Sequence, residues 1–316
     1  EQYKMGGILA DDMGLGKTFV GSEKSRSLKE PLLLICQKSK IEDWVTHLVD
    51  NSGYDTFDLT DKKELERFIS VLQDDEEVAA LTAGVINYEL AFRRPELLNL
   101  EHFTLMLDES SMITNPTAKR TKFIHKLKPD NCILLSGTPT GGKYEKLWSQ
   151  LKLLGWNISK DLFYRQYVVI EWIDDDSGFR IPVITGYKNV DRLKSKLKQH
   201  GCIFMKTEEV FDLPEKIQIP VMVNNSKEFS RFMRNSIVEL PDGTELIGDT
   251  ALTKRLYARQ LCGQYSKAKM AAFVDLVGST DDRLIVFYNF TEELNLMKEA
   301  VALMDKSFSI VNGETK

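Results

Sequence analysis

Short unbroken runs of apolar residues alternate along the first half of the chain with stretches whose apolar positions recur every three or four residues. Residues 6–10, 31–36, 79–86, 103–107 and 132–135 are runs of the first kind. Continuous apolar character over so few residues predicts strands covered on both faces. Residues 41–48 set Ile41, Trp44, Val45 and Leu48 on one helical face, and residues 143–154 do the same with Leu147, Trp148, Leu151 and Leu154. A further helix is predicted to open near Lys17. Strands alternating with helices predict an α/β fold built on a doubly wound, mostly parallel sheet.

The rhythm changes near residue 156. Residues 167–173 and 179–184 read as a β-hairpin around the polar stretch 174–178. A basic helix is predicted over 190–200, and helices over 227–238 and 251–262 flank a turn at 241–243. From residue 267 the α/β rhythm resumes, with helices at 270–277 and 292–303 and strands at 284–288 and 308–311. The expected organisation is a first α/β domain over 1–155, a mixed α+β insertion over 156–266, and the start of a second α/β domain over 267–316. The acidic runs 74–77 and 174–176 are expected to be exposed loops.

Composition narrows the class. The chain has 316 residues, of which 42% are hydrophobic, enough for a sizeable core. No apolar run approaches the roughly 20 residues that a membrane helix needs, and no signal peptide opens the chain, so a cytoplasmic, non-membrane protein is expected. The four cysteines and four histidines are scattered without a C-x-x-C pair, which argues against a structural zinc site or a disulfide framework. The net charge of −5 leaves nucleic-acid binding to a local basic stripe. The chain opens without a Met, and further sequence before Glu1 is expected.

Three stretches carry candidate chemistry. In the first, Asp11, Asp12, Met13, Gly14, Leu15, Gly16, Lys17 and Thr18 follow a predicted strand and open a predicted helix. That is the setting of a phosphate-binding loop: glycines let backbone amides close round phosphates, and the helix N-terminus adds its positive end. Lys17 would reach the β- and γ-phosphates of ATP, and the Thr18 hydroxyl would ligate Mg²⁺. Asp11 stands where the strict pattern has glycine. In the second, a hydrophobic strand ends in Asp108 and Glu109. Asp108 would hold Mg²⁺ through water, and Glu109 would orient and deprotonate the attacking water. The third is Ser136, Gly137, Thr138 and Pro139 at another strand's carboxyl end, where ligands of parallel sheets bind. Taken singly, each stretch also reads as an ordinary turn. Lys17 and Asp108 lie about 90 residues apart, and that pairing favours the nucleotide reading.

In order, these stretches resemble the Swi/Snf-like branch of helicase superfamily 2. Residues 7–18 are close to its motif I, which accounts for Asp11. Residues 33–39 through Trp44 resemble motif Ia, residues 85–88 motif Ib, residues 108–111 with Asn115 and Pro116 motif II, and residues 135–139 motif III. Residues 211–216, 255–262, 285–290 and 312–313 resemble later landmarks of the family, up to motif IV and the turn after the next strand. Motif II ends in Ser111 where many relatives carry His. Short spacers and the hairpin look more like small phage or prokaryotic members than chromatin remodellers.

The resemblance implies a RecA-like P-loop lobe and the start of a second one. It also implies an ATP- and Mg²⁺-dependent DNA translocase, with backbone contacts to DNA from Lys38, Ser39, Asn87 and Thr138. Ser136, Gly137 and Thr138 would couple hydrolysis to movement. The alternative is an ATP-switched module that loads a partner such as a nuclease. Motifs V and VI, with the arginine finger that the family supplies from its second lobe, would follow Lys316, so slow hydrolysis by this chain is expected.

Overall fold

The computed structural model describes residues 6–74, 76–174, 179–241 and 243–313. Two compact units divide the chain, one up to Pro214 and one from Glu215.

Among the described residues of the first unit, six strands form one sheet. They are β1 (Gly6–Leu9), β2 (Leu32–Cys36), β3 (Asp55–Asp58), β4 (Thr82–Asn87), β5 (Thr104–Asp108) and β6 (Asn131–Leu135). The order is β1-β6-β5-β2-β4-β3, and every pairing is parallel. Every residue of β2 and of β4 is buried, which is why these strands read as unbroken apolar runs. Successive side chains feed two cores. Leu33, Ile35, Leu105 and Leu107 pack on one face with Phe68 and Phe103. Leu32, Leu34, Met106 and Leu135 pack on the other with Trp44 and Leu48. Helices α1 (Lys17–Leu28), α2 (Ile41–Ser52) and α3 (Lys62–Asp74) carry the crossovers that follow β1, β2 and β3. Because β6 and β5 lie between β1 and β2, the strand order reverses there, which opens a crevice at the carboxyl ends of those strands.

Strand β1 stands at the edge of the sheet, and residues 201–205 cover it. Ile203 N–H donates to Ile8 O at 2.8 Å, Ala10 N–H to Ile203 O at 2.8 Å, and Asp12 N–H to Met205 O at 2.9 Å. A Cβ on Gly7 would lie 2.1 Å from Gly201 O, so the covering segment needs glycine at this position. An open edge is thereby closed.

The predicted hairpin forms as β7 (Val168–Asp174) and β8 (Arg180–Tyr187), while the turn at 175–178 lies outside the described residues. The basic helix runs over Val190–Gln199, with Leu193 and Leu197 buried and Arg192, Lys194 and Lys198 exposed. Asp74 closes α3 and Glu76 opens the short helix Glu76–Ala79, so most of that acidic run is helical rather than loop; Asp75 lies outside the described residues.

The second unit holds the helices Lys227–Asn235, Ala251–Gln264, Lys267–Gly278 and Thr291–Leu303. It also holds a small hairpin of β9 (Ile237–Glu239) and β10 (Glu245–Ile247). Phe232, Val238, Leu240, Leu246 and Leu261 form its core. The helix predicted over 227–238 stops at Asn235 because Ser236 takes a left-handed conformation, φ +59°, and Val238 then joins β9. Of the predicted turn 241–243, Asp242 lies outside the described residues. The strands predicted at 284–288 and 308–311 do not form. An apolar run becomes a strand only beside a partner ladder, and Ile285 and Phe287 are 86% and 90% exposed.

Burial also sets a pH response in the first unit. His125 is hydrogen-bonded to Ser149 Oγ at 2.9 Å. Burial, helped by nearby Lys152, pushes its imidazole down to about 4. An unfolded histidine titrates near ~6.5. The unfolded chain therefore takes up a proton that the folded chain refuses, and stability falls as pH drops from about 6.5 toward 4. Thermal midpoints measured across that window should fall less steeply for His125→Gln than for the unmodified chain.

Candidate functional site

The loop after β1 turns sharply into α1. Gly16 caps that helix in the left-handed region at φ +76°, which a side chain would resist. Lys17, the first helical residue, folds its ammonium back over the loop: Nζ donates to Asp11 O at 2.6 Å and to Asp12 O at 2.8 Å. A lysine spending its donors on backbone carbonyls is held where an anion entering the loop would meet it. Met13 is 85% exposed at the loop's crest. Asp12 Oδ2 accepts from Thr207 N–H at 2.9 Å, which pins the loop to the segment covering β1. Asp11 is buried, and its Oδ1 has no hydrogen-bond partner among the described residues. Burial raises the Asp11 carboxyl, and the Lys17 charge opposes that rise.

Two strands away, Asp108 ends β5. Its Oδ2 accepts from the Trp44 indole N–H at 2.8 Å. Burial pushes this carboxyl up, with the indole hydrogen bond pulling it back. The buried Tyr88 hydroxyl donates to Asp108 O at 2.8 Å and fixes the backbone there. Glu109 follows in a left-handed conformation, φ +55°, uncommon for a residue with a Cβ. Its Oε1 accepts from Ser136 Oγ at 2.9 Å and from Ser111 Oγ at 3.0 Å. Ser136 belongs to the third predicted stretch, at the end of β6, between β1 and β5. Its hydroxyl also accepts from Thr138 N–H at 3.2 Å. A Cβ on Gly137 would sit 3.8 Å from Lys17 Nζ, so this turn backs directly onto the loop after β1. Gln150 ties the same parts from beneath. It accepts from Ser110 Oγ at 2.9 Å and donates to Pro139 O at 2.8 Å.

The three predicted stretches thus converge on the carboxyl edge of three adjacent strands. Among the described residues the Thr18 hydroxyl has no hydrogen-bond partner. Together with Asp108 it offers hard oxygen donors, the set that Mg²⁺ prefers, with water and phosphate oxygens completing the shell. The donor set fits that ion.

Lys38 and Asn87 line a groove of about 710 Å³ at the carboxyl ends of β2, β3 and β4, together with Arg93, Glu42, Asp58 and Glu89. Ser39 is exposed beside Lys38, and Thr138 is exposed at the β6 turn. Asn87 is buried and donates to Glu89 Oε2 at 3.1 Å. Sequence reasoning missed the Trp44, Tyr88 and Gln150 contacts. Trp44 and Tyr88 fall within stretches already singled out, but nothing in those stretches signals which partner each would reach.

A parallel sheet of this order, with a glycine loop after β1 and an Asp-Glu pair at the end of β5, is a RecA-like P-loop lobe. A family model for the SNF2-related domain matches residues 1–264, and the chain belongs to that family. It is 28% identical over 231 residues to human "SWI/SNF-related matrix-associated actin-dependent regulator of chromatin subfamily A member 1", covering 70% of this chain and 21% of that protein. It is 26% identical over 274 residues to Arabidopsis thaliana "ATP-dependent DNA helicase DDM1", covering 78% of this chain and 34% of that protein. It is 23% identical to Bacillus subtilis "Putative ATP-dependent helicase/translocase YwqA", covering 96% of this chain and 35% of that protein. The chain thus spans between about a fifth and a third of these relatives. Among solved structures it is similar to the Sulfolobus solfataricus SWI2/SNF2 ATPase core in complex with dsDNA, with a TM-score of 0.49 and 20% identity over 95% of this chain and 66% of that one. No helix among the described residues is long and apolar enough to cross a membrane.

Proposed function

We propose that this chain is the ATP-hydrolysing core of a DNA translocase. The observation that carries the reading is the convergence of Lys17, Asp108, Glu109 and Ser136 along one sheet edge. In this reading the backbone of Asp12, Met13, Gly14, Leu15 and Gly16 wraps the phosphates. Lys17 leaves the Asp11 and Asp12 carbonyls for the β- and γ-phosphates. Thr18 and Asp108 would hold Mg²⁺, which would neutralise charge on the phosphate oxygens. Glu109, kept in place by Ser111 and Ser136, aligns a water for attack on the γ-phosphorus and takes its proton. Ser136, Gly137 and Thr138 lie between this carboxylate and the exposed surface, which suits them to relay the reaction outward.

The family membership and the relatives described as a DNA helicase and a helicase/translocase support DNA as the track. Lys38, Ser39, Asn87 and Thr138 would touch its backbone. Lys38 and Arg93 share the groove lining with Glu42, Asp58 and Glu89, so phosphates should follow the two cationic side chains and the neighbouring Ser39 rather than the carboxylates. Binding should then ignore base sequence and weaken with salt, log Kd rising by about 0.9 per phosphate contact for each decade of salt. Fluorescence anisotropy with scrambled duplexes across a salt series checks this. A flat salt response or strong sequence preference would count against it.

The test of the function itself is ATP turnover with no nucleic acid, single-stranded DNA, duplex DNA, RNA or small phosphoryl acceptors. Stimulation by DNA supports the proposal. Stimulation only by a small acceptor points to a kinase-like enzyme, and nucleotide binding without turnover points to a switch that loads a partner.

A further inference from the structure

The chain's site includes a core residue whose one polar atom reaches a predicted metal ligand. Trp44 is buried in the core cluster beneath α2, against Leu32, Leu34 and Met106. A buried indole N–H usually finds a hydrogen-bond partner. Here the partner is the Asp108 carboxylate, 64 positions away in sequence and 2.8 Å away in space. The same helix also borders the groove. Ile41, Glu42 and Val45 line that groove, and Lys38 stands just ahead of the helix. One rigid element thus touches the carboxylate with one residue and the groove with its neighbours.

We propose that Trp44 is a positioning residue that orients Asp108 for its metal and couples that orientation to the occupant of the groove. The inference rests on the nucleotide reading above and deepens it. A donor fixed on Oδ2 removes the rotation of the carboxylate and leaves its remaining lone pairs directed at one place. Groups that orient a metal ligand in this way typically govern affinity by about 10–100-fold. A shift of α2 driven from the groove moves the indole and hence the carboxylate. Because such coupling is reciprocal, DNA in the groove must tighten metal binding by the same factor that metal tightens DNA binding. Trp44→Phe keeps a ring in the core and removes only the N–H and one fused ring.

The experiment measures Mn²⁺ affinity of the ATP-loaded chain by electron paramagnetic resonance, with and without duplex DNA. It compares the unmodified chain with Trp44→Phe and Asp108→Asn, and adds ATP affinity in EDTA and the thermal midpoint for each. The expected result is that Trp44→Phe loses about tenfold in Mn²⁺ affinity and loses the shift caused by DNA, while its metal-free ATP affinity is unchanged. A merely structural role would lower the midpoint and ATP affinity together. An unaltered DNA-induced shift in Trp44→Phe overturns the coupling. If Asp108→Asn also binds Mn²⁺–ATP normally, the nucleotide reading itself fails. Should Trp44→Phe not fold, the unmodified chain decides. Its Trp44 indole ¹H–¹⁵N resonance must move when Mg²⁺ is added to the ATP-bound form and again when DNA is added. An unmoved resonance overturns the proposal.

Discussion

Replacing Glu109 by Gln should remove ATP turnover while leaving nucleotide binding nearly untouched. The amide is almost isosteric with the carboxylate and still offers one oxygen to the Ser111 and Ser136 hydroxyls, which approach Glu109 at 3.0 and 2.9 Å. What it lacks is the ability to take a proton from the attacking water. That contribution exists only in the transition state, so its loss falls on kcat and not on affinity. General bases typically contribute about 10²–10⁴-fold. Phosphate release under saturating ATP, set beside equilibrium binding of a fluorescent ATP analogue, separates the two quantities. Undiminished release would transfer the role to another group. Reduced binding with unchanged release would mean that Glu109 touches the ground state.

Lys17→Ala should produce the opposite division. Lys17 Nζ is 2.6 and 2.8 Å from two loop carbonyls, so the ammonium already sits at the mouth of the loop after β1. Its charge would be exchanged from carbonyl dipoles to phosphate oxygens on binding, a gain that exists before any bond breaks. Hydrogen bonds to charged groups are worth about 1.5–3 kcal/mol each, so losing even one should weaken ATP binding by at least tenfold. The loop itself should survive, because Gly16 and the Asp12–Thr207 contact fix its shape independently of Lys17. Equal affinity for ATP in the two chains would remove the loop from the site.

Strands β2, β4, β5 and β6 were legible because burial on both faces leaves only apolar residues to be read. Strand β3 was not, because Asp55-Thr-Phe-Asp58 sits at the sheet edge with a carboxylate at each end. Helix α3 carries Leu65 and Phe68 at helical spacing, so its buried face is legible too. Lys17, Thr18, Asp108, Glu109 and Ser136 could be singled out because each chemical unit is a few consecutive residues. The contacts that hold those units together join Trp44, Tyr88 and Gln150 to partners many residues away. No spacing announces such a contact, since it depends on how strands order in the sheet. The runs at 284–288 and 308–311 show the reverse error. Their composition suits a strand, but a ladder needs a neighbour as well as a sequence.

The most direct test of the central claim is a crystal structure of the chain with Mg²⁺ and a non-hydrolysable ATP analogue. The account predicts the triphosphate inside the Gly14–Thr18 turn, with Lys17 Nζ moved from the Asp11 and Asp12 carbonyls onto the β- and γ-phosphates. The metal should lie between Thr18 and Asp108, with a water held by Glu109 in line with the γ-phosphorus. Nucleotide bound elsewhere, or Lys17 still on the two carbonyls beside an occupied loop, would contradict it.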